Sequence, residues 1–495
     1  MSGPLAACQG DAKRAPDALT GSLSLAAGRV KVRALLREPR HTGIVQQRSR
    51  HRVVIVGGGF AGLNAAKGLS RDERFVVTLV DRHNYHLFQP LLYQVATGAL
   101  APGEIAQPLR SILRRARNTT VLLGEAVRLD PDRREVELSD GGPIGYDTLL
   151  VATGARHSYF GHPGWTKFAP GLKSIDDAVA IRRRILIAFE AAEREADPDR
   201  RRQWMTFVVV GGGPTGVELA GALGEIAHDT LRRDFRSINP PDARIMLVEA
   251  LPRILPTYPE SQSASAARQL AKKGVLVTTR TRVVGITENW VRMTAAEPDP
   301  AARGSKEVRV PSRTVLWAAG VQAASFAGVV ATAIGAEVDR AGRIVVGPDL
   351  TVLGHPEILV LGDAAVAPGG PDGGPVPGVA QGGIQTGHYA ARLLRSRLDR
   401  TPIGPFHYQN RGDVAVIGRL AGVTNIPWLG PLGRQGGFPA WALWLGIHLV
   451  YLIGFTNRIV VLTRWSWSFV TFGRGSRLIT GTPLVPEIEK PEPPA

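Results

Sequence analysis

Short apolar runs followed by glycine turns recur along this chain and predict the buried strands of parallel sheets. One run spans residues 53–56 and a second spans residues 75–80, with a helical pattern between them. The turn and the end of the second run carry Gly57, Gly59, Phe60, Gly62 and Asp81. This order of strand, glycine turn, helix, strand and acid predicts a Rossmann-like unit that binds a dinucleotide.

Each residue type in this unit suits a dinucleotide. The three glycines permit a tight turn, a close approach of the backbone to a pyrophosphate, and close packing of the following helix. The start of that helix offers free N–H groups and a positive dipole end to the phosphates. Asp81 stands at the strand end, where a carboxylate accepts hydrogen bonds from ribose hydroxyls.

The same pattern recurs in residues 207–249, as strand 207–210, helix 217–235 and strand 244–248. Because glycines, strands and a terminal acid rarely recur in one order by chance, we expect FAD in the first unit and a nicotinamide dinucleotide in the second. The residues predicted to form the nicotinamide dinucleotide site are Gly211, Gly213, Pro214, Thr215, Gly216, Glu218, Glu249, Ala319 and Gly320.

Glu249 distinguishes between the two nicotinamide cofactors. A carboxylate at this strand end accepts hydrogen bonds from a ribose 2′-hydroxyl and repels a 2′-phosphate, which favours NADH over NADPH. Arg253 lies four residues further along the chain. Its guanidinium either softens this preference or is solvated at the surface.

Further apolar strands end in small-residue turns at residues 146–155, 317–321 and 358–365. In two-dinucleotide flavoproteins, a segment like the first of these returns the chain to the FAD domain. An aspartate like Asp363 there binds the ribityl or pyrophosphate part of FAD; ordinary capping of the strand end is the alternative. The remaining residues predicted to contact FAD are Ala152, Thr153, Gly154, Gly362, Asp363, Ala380 and Gln381.

The C-terminal region has a different pattern, because residues 438–455 are hydrophobic around the whole helix rather than along one stripe. A helix of this length reaches about 27 Å, slightly short of an easy membrane span. Residues 459–472 add aromatic residues between arginines, and five of the nine tryptophans fall within 428–467. This placement indicates paired helices lying in one membrane leaflet. A spanning helix and a buried helix of a soluble core are the alternatives.

Composition narrows the chemistry. The net charge of +17 suits an acidic partner such as anionic lipid or nucleic acid, and we favour a lipid surface without nucleic acid because of the C-terminal pattern. Cys8 is the only cysteine, which excludes an internal disulfide, a redox dithiol and a cysteine-ligated cluster. No metal site is predicted.

Together these patterns predict an α/β fold with two Rossmann-like dinucleotide-binding domains, for FAD and NAD, plus a C-terminal membrane-associating helical segment. The FAD domain is discontinuous, because its last strand follows the NAD domain. The predicted bounds are a disordered basic tail over 1–50, the FAD-binding domain over 51–170 and 345–400, the NAD(H)-binding domain over 171–344, the membrane-associating region over 401–480, and a disordered tail over 481–495.

The chain resembles the type II NADH dehydrogenases, single-subunit NADH:quinone oxidoreductases of respiratory membranes. The resemblance covers about residues 53–479 and is strongest in 84–96, 213–221 and 379–385. The quinone-site motif of that family, A-Q-x-A-x-Q, is matched by Ala380, Gln381 and Gln385, whereas Gly383 replaces the second alanine.

Gln381 and Gln385 are four residues apart and therefore share one helical face, from which two amides can donate to quinone carbonyls without adding charge. The start of that helix is expected to face the flavin. A surface helix with two ordinary glutamines is the alternative. In similar flavoproteins, a glutamate at the position of Glu218 approaches the nicotinamide and flavin, where it orients the amide or takes part in proton movement. A plain carboxylate at a helix start is the alternative for Glu218.

The resemblance implies a homodimeric, FAD-dependent enzyme on the cytoplasmic face of a respiratory membrane, which transfers electrons from NADH to a quinone without pumping protons. A soluble ferredoxin or monooxygenase reductase is one alternative, and a non-enzymatic flavoprotein redox sensor is another. Disulfide reductases and sulfide:quinone reductases are disfavoured, because their chemistry uses cysteines that this chain lacks.

Overall fold

A computed structural model describes residues 50–296, 307–471 and 473–481. The predicted tails, 1–50 and 481–495, lie outside the described residues apart from Arg50 and Gly481. The bounds predicted for the domains between them remain a prediction, although the sheets described below follow the predicted order.

An antiparallel sheet covers one face of the sheet around residues 206–210, and helices cover the opposite face. The long apolar stripes of the helices are buried, as amphipathic packing requires. The α-helices within the described residues are α1 (Phe60–Leu69), α2 (Leu92–Ala96), α3 (Pro102–Ile105), α4 (Leu109–Ile112), α5 (Ile175–Arg194), α6 (Pro198–Trp204), α7 (Pro214–Glu225), α8 (Glu260–Ala271), α9 (Ser325–Ile334), α10 (Ala380–Asp399), α11 (Phe438–Tyr451) and α12 (Phe455–Thr471).

The strands form two large sheets, which are parallel except for one antiparallel edge strand, and several small sheets, all antiparallel except one parallel pair. Those in the first half are β1 (His51–Val56), β2 (Phe75–Asp81), β3 (Tyr85–Leu87), β4 (Ala106–Pro108), β5 (Thr119–Leu123), β6 (Ala126–Asp130), β7 (Glu135–Leu138), β8 (Pro143–Gly145), β9 (Thr148–Val151), β10 (Ala155–His157), β11 (Thr206–Val210) and β12 (Arg244–Val248). Those in the second half are β13 (Val275–Thr278), β14 (Thr281–Ile286), β15 (Trp290–Ala295), β16 (Val308–Pro311), β17 (Thr314–Trp317), β18 (Val321–Ala323), β19 (Ile344–Val345), β20 (Thr351–Val352), β21 (His355–Val360), β22 (Ala365–Val366), β23 (Asp413–Gly418) and β24 (Ala421–Asn425).

The first sheet has the strand order β20-β21-β9-β1-β2-β5. Its central strands are buried on both faces, which explains their continuous apolar runs. Strand β21 joins this sheet beside β9 although the second sheet lies between them in sequence, so the first nucleotide unit is discontinuous. Strand β5 pairs in parallel with β2, while β6, β7 and β8 form a separate antiparallel sheet.

The second sheet repeats the central arrangement of the first, in the order β13-β12-β11-β17. In each sheet the strand before the glycine turn lies between the strand that ends in the acid and the strand that ends in the small-residue crossover. The two crossovers then continue into β10 and β18, which pair antiparallel and connect the two nucleotide units. Both glycine turns therefore lie at the carboxyl edge of a parallel sheet, where ligands bind in this class of fold.

Glycines allow α1 and α10 to pack closely. A Cβ at Gly387 would lie 2.2 Å from the carbonyl oxygen of Ala61, and one at Gly383 would lie 3.1 Å from the Cβ of Phe60. Gly383, the position where the quinone motif departs from alanine, therefore faces α1. The substitution is explained by helix packing.

Replacing Gly387 with alanine is expected to destabilise the fold by about 1–3 kcal/mol, because overpacking against a rigid backbone carbonyl forces the helices apart. Gly328→Ala is the matched control, since a Cβ there would meet nothing within 4 Å in the middle of α9. The control should be neutral or slightly stabilising. Thermal unfolding of the two variants measures the difference, and equal midpoints would contradict the close packing.

The predicted C-terminal helix ends earlier than expected. Helix α11 stops at Tyr451, and the guanidinium of Arg458 on α12 donates to the carbonyls of Val450 and Leu452 at that end. Among the described residues, no helix has both the length and the apolar character needed to cross a bilayer. One side of the pair is buried on the protein, and the other carries exposed apolar side chains: Phe438, Val450, Trp467 and Val470.

Candidate active site

The two glycine fingerprints adopt the same geometry. Gly57 and Gly211 both have a φ of 107°, a conformation that residues with side chains rarely adopt. A Cβ at Gly62 would lie 1.9 Å from the Gly57 oxygen, and a Cβ at Gly216 would lie 1.8 Å from the Gly211 oxygen. The first and third glycines of each turn are therefore required by contacts within the turn itself.

The second glycine of each fingerprint, Gly59 or Gly213, faces open space. A Cβ at Gly59 or at Gly213 would meet no protein atom within 4 Å, and each glycine is the N-cap of the helix that follows. Neither N-cap has a side chain to satisfy the first helical N–H groups. Each turn thus offers an uncovered helix start that fits a pyrophosphate, and Phe60, Pro214 and Thr215 form the first residues of these helices.

Two carboxylates hold the turns from the strand ends. Asp81 accepts hydrogen bonds from the N–H of Gly58 at 2.5 Å and from the N–H of His83 at 2.7 Å. Glu249 accepts equivalent bonds from Gly212 at 2.5 Å and Leu251 at 2.8 Å. Because an ionised carboxylate offers about four lone-pair sites, each acid keeps capacity for ribose hydroxyls.

Arg253 is held by the loop that follows Glu249. Its guanidinium donates to the carbonyl oxygens of Pro256 and Tyr258 and to the hydroxyl of Ser263. These bonds argue against both sequence-based interpretations of Arg253, a partner of a 2′-phosphate and a solvated surface residue. Arg253 instead organises this loop.

Replacing Glu249 with glutamine is expected to lower the ratio of kcat/KM for NADH to that for NADPH by about tenfold or more. Glutamine has one acceptor oxygen, so it loses a backbone hydrogen bond, one ribose acceptor and the charge that repels a 2′-phosphate. Initial rates with both cofactors provide the measurement. An unchanged ratio would contradict the role of Glu249, and Glu260→Gln, at an exposed start of α8, is the control.

The crossovers complete the first site. Ala152 packs its backbone against Gly57, where a Cβ would lie 2.3 Å from the Ala152 oxygen. The hydroxyl of Thr153 is buried and has no hydrogen-bond partner among the residues that the structure describes, and a Cβ at Gly154 would face open space. A buried hydroxyl without a partner, next to a backbone segment that faces open space, fits a polar ligand such as FAD. In the second unit, Ala319 and Gly320 occupy the equivalent crossover, and Ala318 donates its N–H to Val210 at 2.8 Å.

Asp363 lies close to the start of α10. Burial raises the pKa of its carboxyl, while the positive charges of Lys173 and Arg343 lower it. The carboxyl has no hydrogen-bond partner among the described residues, which argues against ordinary capping of the strand end. Gly362 donates its N–H to the hydroxyl of Thr386 at 3.2 Å, which holds this turn against α10. Asp363 is thereby left available for a polar group of FAD.

Gln381 and Gln385 share one face of α10, as predicted, but both amides already have partners. Gln381 donates to the Gly412 oxygen at 2.7 Å and accepts from the N–H of Arg411 at 3.2 Å. Gln385 donates to the Gln409 oxygen at 2.9 Å and accepts from the N–H of Gln409 at 2.8 Å. The two side chains therefore hold residues 409–412 beside α10, and each amide has one further N–H for a quinone.

Glu218 is buried on α7, in the second helical turn rather than the first. Burial raises the pKa of its carboxyl to about 8, and the peptide N–H of Val416 and the indole N–H of Trp444 oppose this rise. Among the described residues, however, no acceptor lies in hydrogen-bond geometry with the indole N–H of Trp444. At neutral pH the carboxyl of Glu218 is therefore protonated, which a solvated helix-start carboxylate would not be.

A cavity of about 130 Å³ opens beside Glu218. One wall is formed by α7 and the π-helix Ile226–Thr230 that continues it, with Glu218, Glu225 and Asp229. The other lining residues include five aromatic side chains: Tyr93, Trp441, Trp444, Trp465 and Phe469. Helices α11 and α12 supply most of these aromatic side chains. The membrane-associating segment and the predicted nicotinamide helix therefore line one shared space.

Sequence reasoning missed Glu225 and Arg474. Glu225 accepts hydrogen bonds from Lys273 at 2.9 Å, from the N–H of Arg419 at 2.5 Å and from Arg474 at 3.0 Å. Arg474 is buried and also donates to the Thr97 oxygen at 3.2 Å. The only available signal was the spacing of Glu218 and Glu225, seven residues apart on one helical face.

Comparisons with known proteins agree with this geometry. Residues 51–392 match the pyridine nucleotide-disulphide oxidoreductase family. The type II NADH:quinone oxidoreductase NdhA of Mycobacterium tuberculosis is 45% identical over 439 residues, covering 87% of this chain and 90% of that protein. The type II NADH:quinone oxidoreductase Ndh of the same organism is 43% identical, covering 89% of this chain and 93% of that protein.

A solved structure extends the likeness to three dimensions. NDH2 of Plasmodium falciparum, determined in complex with NADH, superposes with a TM-score of 0.75 at 18% identity, covering 85% of this chain and 98% of that one. At this identity the likeness shows a shared fold. The family model, the relatives and the fold agree: this chain is an oxidoreductase that belongs to the type II NADH:quinone oxidoreductases.

Proposed function

We propose that this chain oxidises NADH and reduces a membrane quinone, with FAD bound in the first nucleotide unit. The observation that carries the proposal is the paired geometry of the two glycine turns, each with an uncovered helix start and a carboxylate at the strand end. The names of the relatives from Mycobacterium tuberculosis support NADH and quinone as substrates.

Bound FAD would accept a hydride from NADH and deliver two electrons to the quinone. The chain's own task is to position both dinucleotides, since hydride transfer needs close and aligned reactants. The residues proposed for FAD are those of the first fingerprint with Asp81, the Ala152–Gly154 turn, Asp363 and the start of α10. Those proposed for NADH are the second fingerprint with Glu249, Ala319 and Gly320.

Quinone reduction also consumes a proton. NADH and one proton convert one quinone to its quinol, so a proton must reach the site in every turnover. Glu218 is protonated at neutral pH and faces a cavity, and we propose that it orients the nicotinamide amide or takes part in this proton movement. We propose that the reaction does not pump protons, because its balance requires only the one proton that the quinol takes up.

Membrane attachment is the second part of the proposal. The apolar faces of α11 and α12 would enter one leaflet on the cytoplasmic side, with nearby arginines at the level of anionic headgroups. We also propose a homodimer, for which the sedimentation of the purified protein is the direct test. No nucleic acid is required by this function.

Two exposed side chains of α12 offer a sharp test. Trp467 and Val470 are 70% and 74% exposed, so changing both to glutamine removes apolar surface without opening the core. Each buried apolar side chain contributes ~1.5–3 kcal/mol, and the double variant should bind anionic vesicles about 100-fold more weakly. Vesicle co-sedimentation measures this loss, and NADH oxidation with a soluble quinone should stay at the wild-type rate.

Leu353→Gln is the matched control, because Leu353 is 94% exposed and lies far from α12 in the sequence. This variant should bind vesicles as the wild type does. Equal binding by the double variant would overturn the membrane contact. An absence of quinone-dependent NADH oxidation in the wild type, both with a soluble quinone and with quinone in vesicles, would overturn the enzymatic proposal. It would favour a reductase for another acceptor or a redox sensor.

A further inference from the structure

Gly58 and Gly212 directly follow the first glycine of each fingerprint, and each is held through both its N–H and its carbonyl group. Gly58 donates its N–H to Asp81, and its carbonyl oxygen lies 3.0 Å from Nδ1 of His86. Gly212 donates its N–H to Glu249, and its carbonyl oxygen accepts from the N–H of Leu255 at 2.7 Å. The two turns thus share one design, except that a backbone amide holds the carbonyl in the second turn and a histidine side chain holds it in the first.

The hydrogen bond fixes the state of His86. A carbonyl oxygen only accepts, so Nδ1 must carry the proton, and the neutral ring then has a bare Nε2. Nε2 is buried and without a partner, and burial lowers the pKa of the imidazole to about 4. The ring packs edge-on against Phe60 with centroids 5.1 Å apart. His86 is therefore a rigid, neutral donor to the glycine turn.

Holding this carbonyl orients the next N–H. In a trans peptide the C=O and the following N–H point in opposite directions. If the Gly58 oxygen faces His86, the Gly59 N–H faces away from it. Gly59 is the N-cap of α1, and its surroundings are open on the side where a Cβ would project. The imidazole and the Gly59 N–H thus lie on opposite sides of the Gly58–Gly59 peptide.

We propose that His86 is a positioning residue for the flavin dinucleotide: it holds the Gly58–Gly59 peptide, so that the Gly59 N–H stays turned away from the imidazole and available to the pyrophosphate. The inference rests on the proposed binding of FAD to the first unit. It predicts that loss of the Nδ1 donor weakens FAD binding and leaves the nicotinamide turn, which Leu255 holds, unchanged.

Two polar variants test the position of the donor. Asparagine places its amide nitrogen near the position of Nδ1, whereas glutamine places it one bond further along the side chain. Apoprotein is prepared for each variant, and FAD binding is titrated by the quenching of flavin fluorescence. His86→Asn should bind FAD within about threefold of the wild type, and His86→Gln about tenfold more weakly. NADH affinity, measured separately, should stay the same in both.

His448 provides the matched control, because it is also buried and its Nδ1 lies 2.7 Å from a backbone carbonyl, that of Trp444 in α11. His448→Gln should leave FAD affinity unchanged. Equal FAD affinity of His86→Asn and His86→Gln, whether both are high or both are low, would overturn the positioning role. Failure of the wild-type apoprotein to bind FAD would instead remove the proposed function on which the inference rests.

Discussion

Replacing Gly213 with alanine should raise the KM for NADH by about 10- to 100-fold and leave the FAD content at the wild-type level. The backbone at Gly213 has a φ of −71°, which alanine adopts without strain, and the new Cβ meets no protein atom within 4 Å. The methyl group would collide only with a bound pyrophosphate, at the usual overpacking cost of ~1–3 kcal/mol. Steady-state kinetics and the flavin absorbance of the purified protein provide both measurements.

Gly59→Ala is the matched variant of the other turn. Its φ of −69° is equally permissive and its Cβ also meets nothing. FAD should be lost on purification of this variant, while NADH still binds to the apoprotein. If Gly213→Ala lost flavin and Gly59→Ala raised the KM for NADH, the assignment of FAD to the first unit and NADH to the second would be reversed. Unchanged kinetics in both variants would show that neither helix start holds a phosphate.

The nucleotide turns were predictable because their requirements are local. Gly57 has a φ of 107°, and a Cβ at Gly62 would lie 1.9 Å from the Gly57 oxygen. Because both positions require glycine, the fingerprint records the geometry directly in the sequence. The strand ends are equally local, since Asp81 and Glu249 bind amides a few residues from their own strands or in the adjacent turn. Pattern and structure therefore agree there.

Contacts between distant segments leave no such record. Arg474 bonds Glu225 from 249 residues away, and neither residue lies in a motif. The partners of Gln381 and Gln385 on residues 409–412 are likewise invisible in the spacing that placed both amides on one face. The early end of α11 depends on Arg458, which binds its last carbonyls from the next helix. Sequence patterns identify which face a residue occupies, but the occupant opposite it is set by the fold.

Glu218→Gln should remove a loss of stability that the wild type suffers at alkaline pH. The pKa of Glu218 is raised from 4.5 to about 8 in the folded protein, because burial disfavours the anion. Below pH 4.5 both states hold the proton. Between pH 4.5 and 8 only the folded state keeps the proton, so the free energy of unfolding falls as pH rises. Above pH 8 the total loss is about 4–5 kcal/mol.

Thermal unfolding of the wild type and of Glu218→Gln between pH 5 and 9 measures this loss of stability. The difference between their midpoints should shift in favour of the glutamine variant across this range, because glutamine stays neutral. Glu260→Gln, which removes an exposed carboxylate, should follow the wild type. A constant difference between Glu218→Gln and the wild type at all pH values would mean that Glu218 is ionised in the folded protein. Such a result would contradict the proposal that a protonated Glu218 orients the nicotinamide amide or takes part in proton movement.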